Sequence, residues 1–161
     1  MPYRRLLAAA LALGLLLGSL PAWASGHSRE KLKGLQGVGV FVEPLRPELE
    51  HEGLSRRQIQ EEVEAKLRKA GIRVLAGAQS HPFSGEPFLY VNLVVGKLET
   101  SYAYTIDLMC LGAPQANPGK NALLTWNVES SGMIANVLEV REKVAELVDR
   151  FIRDYRSVNP A

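Results

Sequence analysis

Few residues of this chain could do chemistry, and its one cysteine is the first of them. Cys110 lies in the stretch YAYTIDLMCLG, Tyr102 to Gly112, of a 161-residue sequence. A thiolate can attack an electrophile, pair with another thiol or ligate a metal, provided the sulfur is accessible and a nearby cation lowers its pKa. Here Tyr102, Tyr104, Ile106, Leu108 and Cys110 alternate with Ala103, Thr105, Asp107 and Met109, which places the sulfur on the apolar side of a strand. That position reads as a packed, inert thiol. An intermolecular disulfide or a redox role would need this strand end, beside the GAPQANPG loop, to fray or to slip by one residue.

The carboxylates come next. Asp107 sits in mid-strand, where a charged side chain is uncommon and usually has a reason. It shares the mixed side of its strand with Thr105, and neighbouring strands could bring Asn92, Thr125, Asn127 and Glu129 onto the same sheet face. Asp107 with Glu129 would be the one acid/base pair available, but no third group is implicated with them. The alternatives are a solvated strand face and a partner-binding face. Phe88, Tyr90, Val94 and Met109 interleave with the polar residues there, the mixture expected of a protein-binding surface.

Other chemistry finds little support. His27, His51 and His81 have no paired spacing, so with a single cysteine they do not suggest a zinc site. Neither G-x-S-x-G nor H-E-x-x-H occurs, and Gly37 and Gly39 lack the downstream spacing of a phosphate-binding turn. No residue is assigned a catalytic, cofactor-binding or metal-ligating role. An enzyme using Asp107 and Glu129 is the least favoured reading.

The elements that must position these residues follow from periodicity. GVGVFVEPL alternates as a strand that ends at Pro44 and Pro47. A charged connector, RPELEHEG, leads to GLSRRQIQEEVEAKLRKAGI. There Ser55 is an N-cap with Gln58 at the capping-box spacing, Leu54 and Ile59 form a hydrophobic staple, and Gly71 stops the helix. Ile59, Val63, Leu67 and Ala70 make its apolar stripe. Ile72 to Leu75 reads as a short strand parallel to the first. After a Gly/Ser/Pro loop at 76–87 come three longer strands: one around PFLYVNLVVGKLE, one from Tyr102, and ALLTWNVES. In the last of these Leu124, Trp126 and Val128 oppose Leu123, Thr125, Asn127 and Glu129. Asn136 to about Tyr155 closes the chain as a second helix, with Val137, Val140, Val144, Leu147, Val148, Phe151 and Tyr155 on one stripe. The expected fold is α+β: a mixed, mainly antiparallel sheet of about five strands (β-α-β-β-β-β-α) with both helices on one face.

Composition bounds the destination. MPYRRLLAAALALGLLLGSLPAWA combines a basic start, an apolar run from Leu6 to Leu17 and an A-x-A end, which predicts a signal peptide over 1–24 cut between Ala24 and Ser25. The run is shorter than the roughly 20 residues of a spanning helix. Ser25, rather than a lipid-bearing cysteine, follows the cleavage point, so no stable membrane anchor is expected. The remainder divides into a flexible lead-in, 25–36, and a single domain, 37–161. Of 19 Lys plus Arg, Arg4 and Arg5 leave with the signal, which balances the mature chain at 17 basic against 17 acidic residues. No long-range positive field is left to collect nucleic acid or anionic lipid.

GVGVFVE, GLSRRQIQEEVEAKLRKAGIRVL, FLYVNLVV, TWNV and VREKVAELVDRFIRDYRSVNP together resemble a group of uncharacterised exported bacterial proteins. Their order also looks like the small α+β domains of cell-envelope factors, such as the N-terminal domain of TolB and lipoproteins related to CsgG. The resemblance spans nearly all of the mature chain and implies an envelope-associated interaction domain. The cleavable leader predicts a location in the periplasm or secreted, and no cofactor is expected. It carries over no catalytic residue. The expected function is a non-catalytic, soluble protein-interaction module whose partner is another cell-envelope protein. It would bind through the face bearing Asn92, Asp107, Thr125, Asn127 and Glu129, or by strand addition at a sheet edge. The alternative is a periplasmic small-ligand-binding protein with a cleft between the sheet and the connectors 76–87 or 112–121.

Overall fold

The computed structural model describes residues 29–76, 86–112 and 123–160. The expected cleavage site at Ala24 and Ser25, together with His27, His81 and most of both connectors, lies outside them. Four strands form one sheet: β1 Gly39–Val42, β2 Phe88–Lys97, β3 Tyr102–Gly112 and β4 Leu123–Ile134, in the order β1-β2-β3-β4. β1 pairs with β2 in parallel, and the other two pairings are antiparallel. Among the described residues three α-helices accompany it: α1 Pro47–His51, α2 Arg56–Lys69 and α3 Val140–Val158.

The fold is α+β with a mixed sheet, as the alternation patterns require. Ile72 to Leu75 contributes one isolated parallel bridge, Val38 to Val74, in place of a fifth strand. The Val38 amide donates to the Arg73 carbonyl and the Leu75 amide to the Val38 carbonyl, each at 3.0 Å, and the chain bends away at Ala76 before a second pair can form. Gly37 is required beside this bridge, because a Cβ there would stand 2.5 Å from the Arg73 carbonyl oxygen.

Local signals explain the helices. Ser55 Oγ accepts from the Gln58 amide at 3.3 Å, and Gly71, at φ +76°, ends the turn that follows α2. α1 lies in what the sequence suggested was a connector: Pro47 occupies its first turn, and Leu49 is buried beneath it. The long C-terminal helix starts later than its apolar stripe suggests. A 3₁₀ turn, Val137–Glu139, comes first, capped by Asn136, whose side chain accepts from the Leu138 amide while Glu139 Oε1 accepts from the Asn136 amide.

The core lies between the helices and one sheet face. Val38, Val40, Val42, Leu89, Val91, Val95, Ile106, Leu108, Trp126 and Val128 meet Ile59, Val63, Leu67, Val144, Val148 and Phe151. Trp126 joins the layers: its ring meets Phe151 edge-on at 5.2 Å, and its Nε1 donates to Asp154 Oδ2 at 2.9 Å.

The segment expected as a flexible lead-in is docked from Arg29 onward. Residues Arg29–Leu32 form a 3₁₀ turn whose Leu32 enters the core. Asn159 holds it from the far end of the chain, accepting from the Gly34 amide at 2.7 Å and donating to the Leu32 carbonyl at 2.9 Å, while Tyr155 Oη donates to the Leu35 carbonyl at 2.5 Å. The physical reason is long-range: an apolar side chain near the start finds its pocket only when α3 is in place.

Candidate interaction face

The outward-pointing positions of the four strands make a surface that the three helices leave uncovered. Register arranges it in rows across the sheet. Asn92 lies opposite Asp107, and Asp107 opposite Glu129. On one side of that row stand Phe41, Tyr90, Met109 and Asn127, and on the other Val94, Thr105 and Ser131. A further row holds Ala103 and Met133. Val94 and Met133, 58% and 66% exposed, are the apolar high points.

Asn92 Nδ2 donates to Asp107 Oδ2 at 3.3 Å. Glu129 is exposed and stands directly opposite Asp107, so two carboxylates face each other across one strand pair. Like charges in that relation destabilise a sheet. Next to β1, the Tyr90 hydroxyl donates to Glu43 Oε2. Burial, joined by that carboxylate, pushes the Tyr90 hydroxyl up to about 12. Phe41 stacks on Tyr90 at 5.8 Å, with the Arg56 guanidinium 5.2 Å from the Phe41 ring centre.

Of the residues singled out from sequence, Asn92, Asp107 and Glu129 form one continuous row, and Asn127 belongs to the adjacent one. Thr125 differs. A β-bulge pairs Cys110 with Trp126 but Leu111 with Leu124, leaving Thr125 as the extra residue, and its hydroxyl donates to the Cys110 carbonyl at 2.9 Å. The bulge also moves Leu124 off the core side, where alternation placed it. Leu124 is 46% exposed beside Leu111. Glu43, following Val42, extends the charged row beyond Asn92, and Tyr90 of the adjacent row donates to it; only the parallel β1–β2 register reveals this.

Cys110 lies within the core cluster, and burial pushes its thiol up to about 11. Such a sulfur is a poor nucleophile at neutral pH. Among the described residues no three His, Cys, Asp or Glu side chains converge as metal ligands do, and no helix is long and apolar enough to cross a membrane.

No protein-family model matches the chain, and no curated protein matches it. Among solved structures it is similar to the rare lipoprotein B from Shewanella oneidensis, at 16% identity over 76% of this chain and 96% of that one, with a TM-score of 0.37. That protein is neither a TolB nor a CsgG, and a superposition of this degree carries no argument about function.

Proposed function

We propose that the chain is a non-catalytic interaction module of the cell envelope, exported by the leader ending at Ala24 and engaging another envelope protein through the outer face of its sheet. One observation carries the reading: an antiparallel-rich sheet packs its helices on one side and presents on the other a surface where Val94, Met133 and Met109 surround the row Asn92–Asp107–Glu129. Exposed apolar side chains interspersed with hydrogen-bonding groups are what a partner needs to bury.

The test is site-specific photo-crosslinking in the cells that make the protein. A photoreactive side chain at Ser131, on the outer face, is compared with one at Arg150, exposed on α3. The reading expects a discrete crosslinked species from Ser131 and none from Arg150. Equal patterns from both positions, or none from either, would contradict it.

A further inference from the structure

Among the described residues, charge is paired on the helical side and left unpaired at the centre of the open sheet face. The ion pairs among the described residues all belong to the helical side: Arg57 with Glu61, Lys66 with Asp149, Arg68 with Glu64, Arg141 with Glu62, Lys143 with Glu146, and Lys97, at a helix-side register of β2, with Glu52. The outward positions of β2, β3 and the described part of β4 contain no Lys or Arg, yet they hold Asp107 and Glu129; at the β1 edge Glu43 accepts from the Tyr90 hydroxyl and the Arg56 guanidinium stands over Phe41, so the uncompensated charge is that of the Asp107–Glu129 pair at the centre of the face. Among the described residues, Asp107 receives only the 3.3 Å bond from Asn92, and no cation lies within ion-pair distance of Glu129.

We infer that the occupant of this face is a protein segment carrying Lys or Arg side chains among apolar residues, whose cations lie between Asp107 and Glu129. The inference rests on the interaction reading above and adds the chemistry of the partner. Charge complementarity selects this occupant. A second copy of the chain would set acidic row against acidic row, and anionic lipid or nucleic acid would be repelled by the same carboxylates. A bare cation would leave Val94 and Met133 in water, whereas an apolar-flanked basic segment covers them while it neutralises the row. Strands are spaced by about 4.8 Å, so one cation placed between Asp107 and Glu129 reaches both. The opposed carboxylates, unfavourable in the free protein, become favourable when it arrives.

The experiment uses the full chain, in its own cells, with the photoreactive side chain at Ser131. It compares the native sequence with the double variant Asp107→Asn, Glu129→Gln. Crosslink yield should fall at least about tenfold in the double variant, and the partner peptide joined at Ser131 should contain Lys or Arg beside apolar residues. The purified double variant should melt at the same temperature as the native protein or higher, because it relieves like-charge opposition. That readout separates lost recognition from lost folding. A crosslink of undiminished yield in the double variant, or a joined peptide without basic residues, overturns the charge inference and leaves the face as a docking surface. Absence of any Ser131 crosslink in the native chain overturns both.

Discussion

Replacing Trp126 by Phe tests whether a single side chain joins the sheet to α3. The ring is fully buried, contacts Phe151 edge-on at 5.2 Å and donates from Nε1 to Asp154 Oδ2 at 2.9 Å. Phe keeps part of the edge-on contact but removes the donor and leaves a void where the larger ring lay. The lost bond costs about 1 kcal/mol, since Asp154 is half-buried and regains water, and the void about 1–2 kcal/mol more. The sum, about 2–3 kcal/mol, lowers the melting temperature of a domain of this size by roughly 6–10 °C. Asp154→Ala should cost about 1 kcal/mol by itself. The double variant should be less destabilised than the two singles predict together, by about 1 kcal/mol, because the hydrogen bond can be lost only once. Far-UV circular dichroism during urea unfolding is the assay, since the only other tryptophan is Trp23, in the segment expected to be cleaved, and Trp126→Phe removes the fluorescent probe of the domain. Strictly additive costs would refute the coupling, and a Trp126→Phe cost below about 0.5 kcal/mol would refute the joining role itself.

Asn159→Ala should release the docked start of the domain, because it removes the side chain that engages Gly34, Leu32 and Tyr155. Trypsin cleavage after Lys31 and Lys33 should accelerate several-fold, with a stability loss of about 1–3 kcal/mol; unchanged cleavage would refute the latch. Gly37→Ala should cost about 2 kcal/mol or more in thermal unfolding, since the new methyl meets the Arg73 carbonyl oxygen and must displace the Val38–Val74 bridge. For Cys110 the folded pKa, about 11, is raised from an ordinary 9.0, so its contribution to stability is complete below pH 9 and is lost as pH rises from 9 to 11. Cys110→Ala should therefore lose less stability than the native protein between those pH values, by an amount of order 2 kcal/mol. Parallel urea midpoints for the two proteins across that range would contradict burial of the thiol.

Local chemistry explains what the sequence disclosed. Ser55, Gly71 and the stripe Ile59–Val63–Leu67 act within a few residues of one another, so α2 was legible in full. The strand alternation that put Cys110 inside and Asp107 outside was equally local. Features that depend on distant residues were not legible. The Thr125 bulge, which turns Leu124 outward, arises from pairing with β3, and the Asn159 latch joins residues 125 positions apart. The direct opposition of Asp107 and Glu129 needed the register itself. α1 carries no periodic signal, because five residues offer too short a window for helical periodicity. The leader, read from its own composition, falls outside the described residues and stays a proposal.

The proposed interaction has a partner covering the outer sheet face in the envelope and leaves that face bare in the free protein. Ser131→Cys gives the most direct test, because Ser131 is exposed there and native Cys110 is buried and silent to thiol reagents. A membrane-impermeant maleimide that enters the envelope is applied to intact cells and, in parallel, to the purified protein. The purified variant should label rapidly and the protein in cells should be strongly protected, with protection lost when Asp107→Asn and Glu129→Gln are added. Equal labelling rates in cells and in purified protein would contradict it.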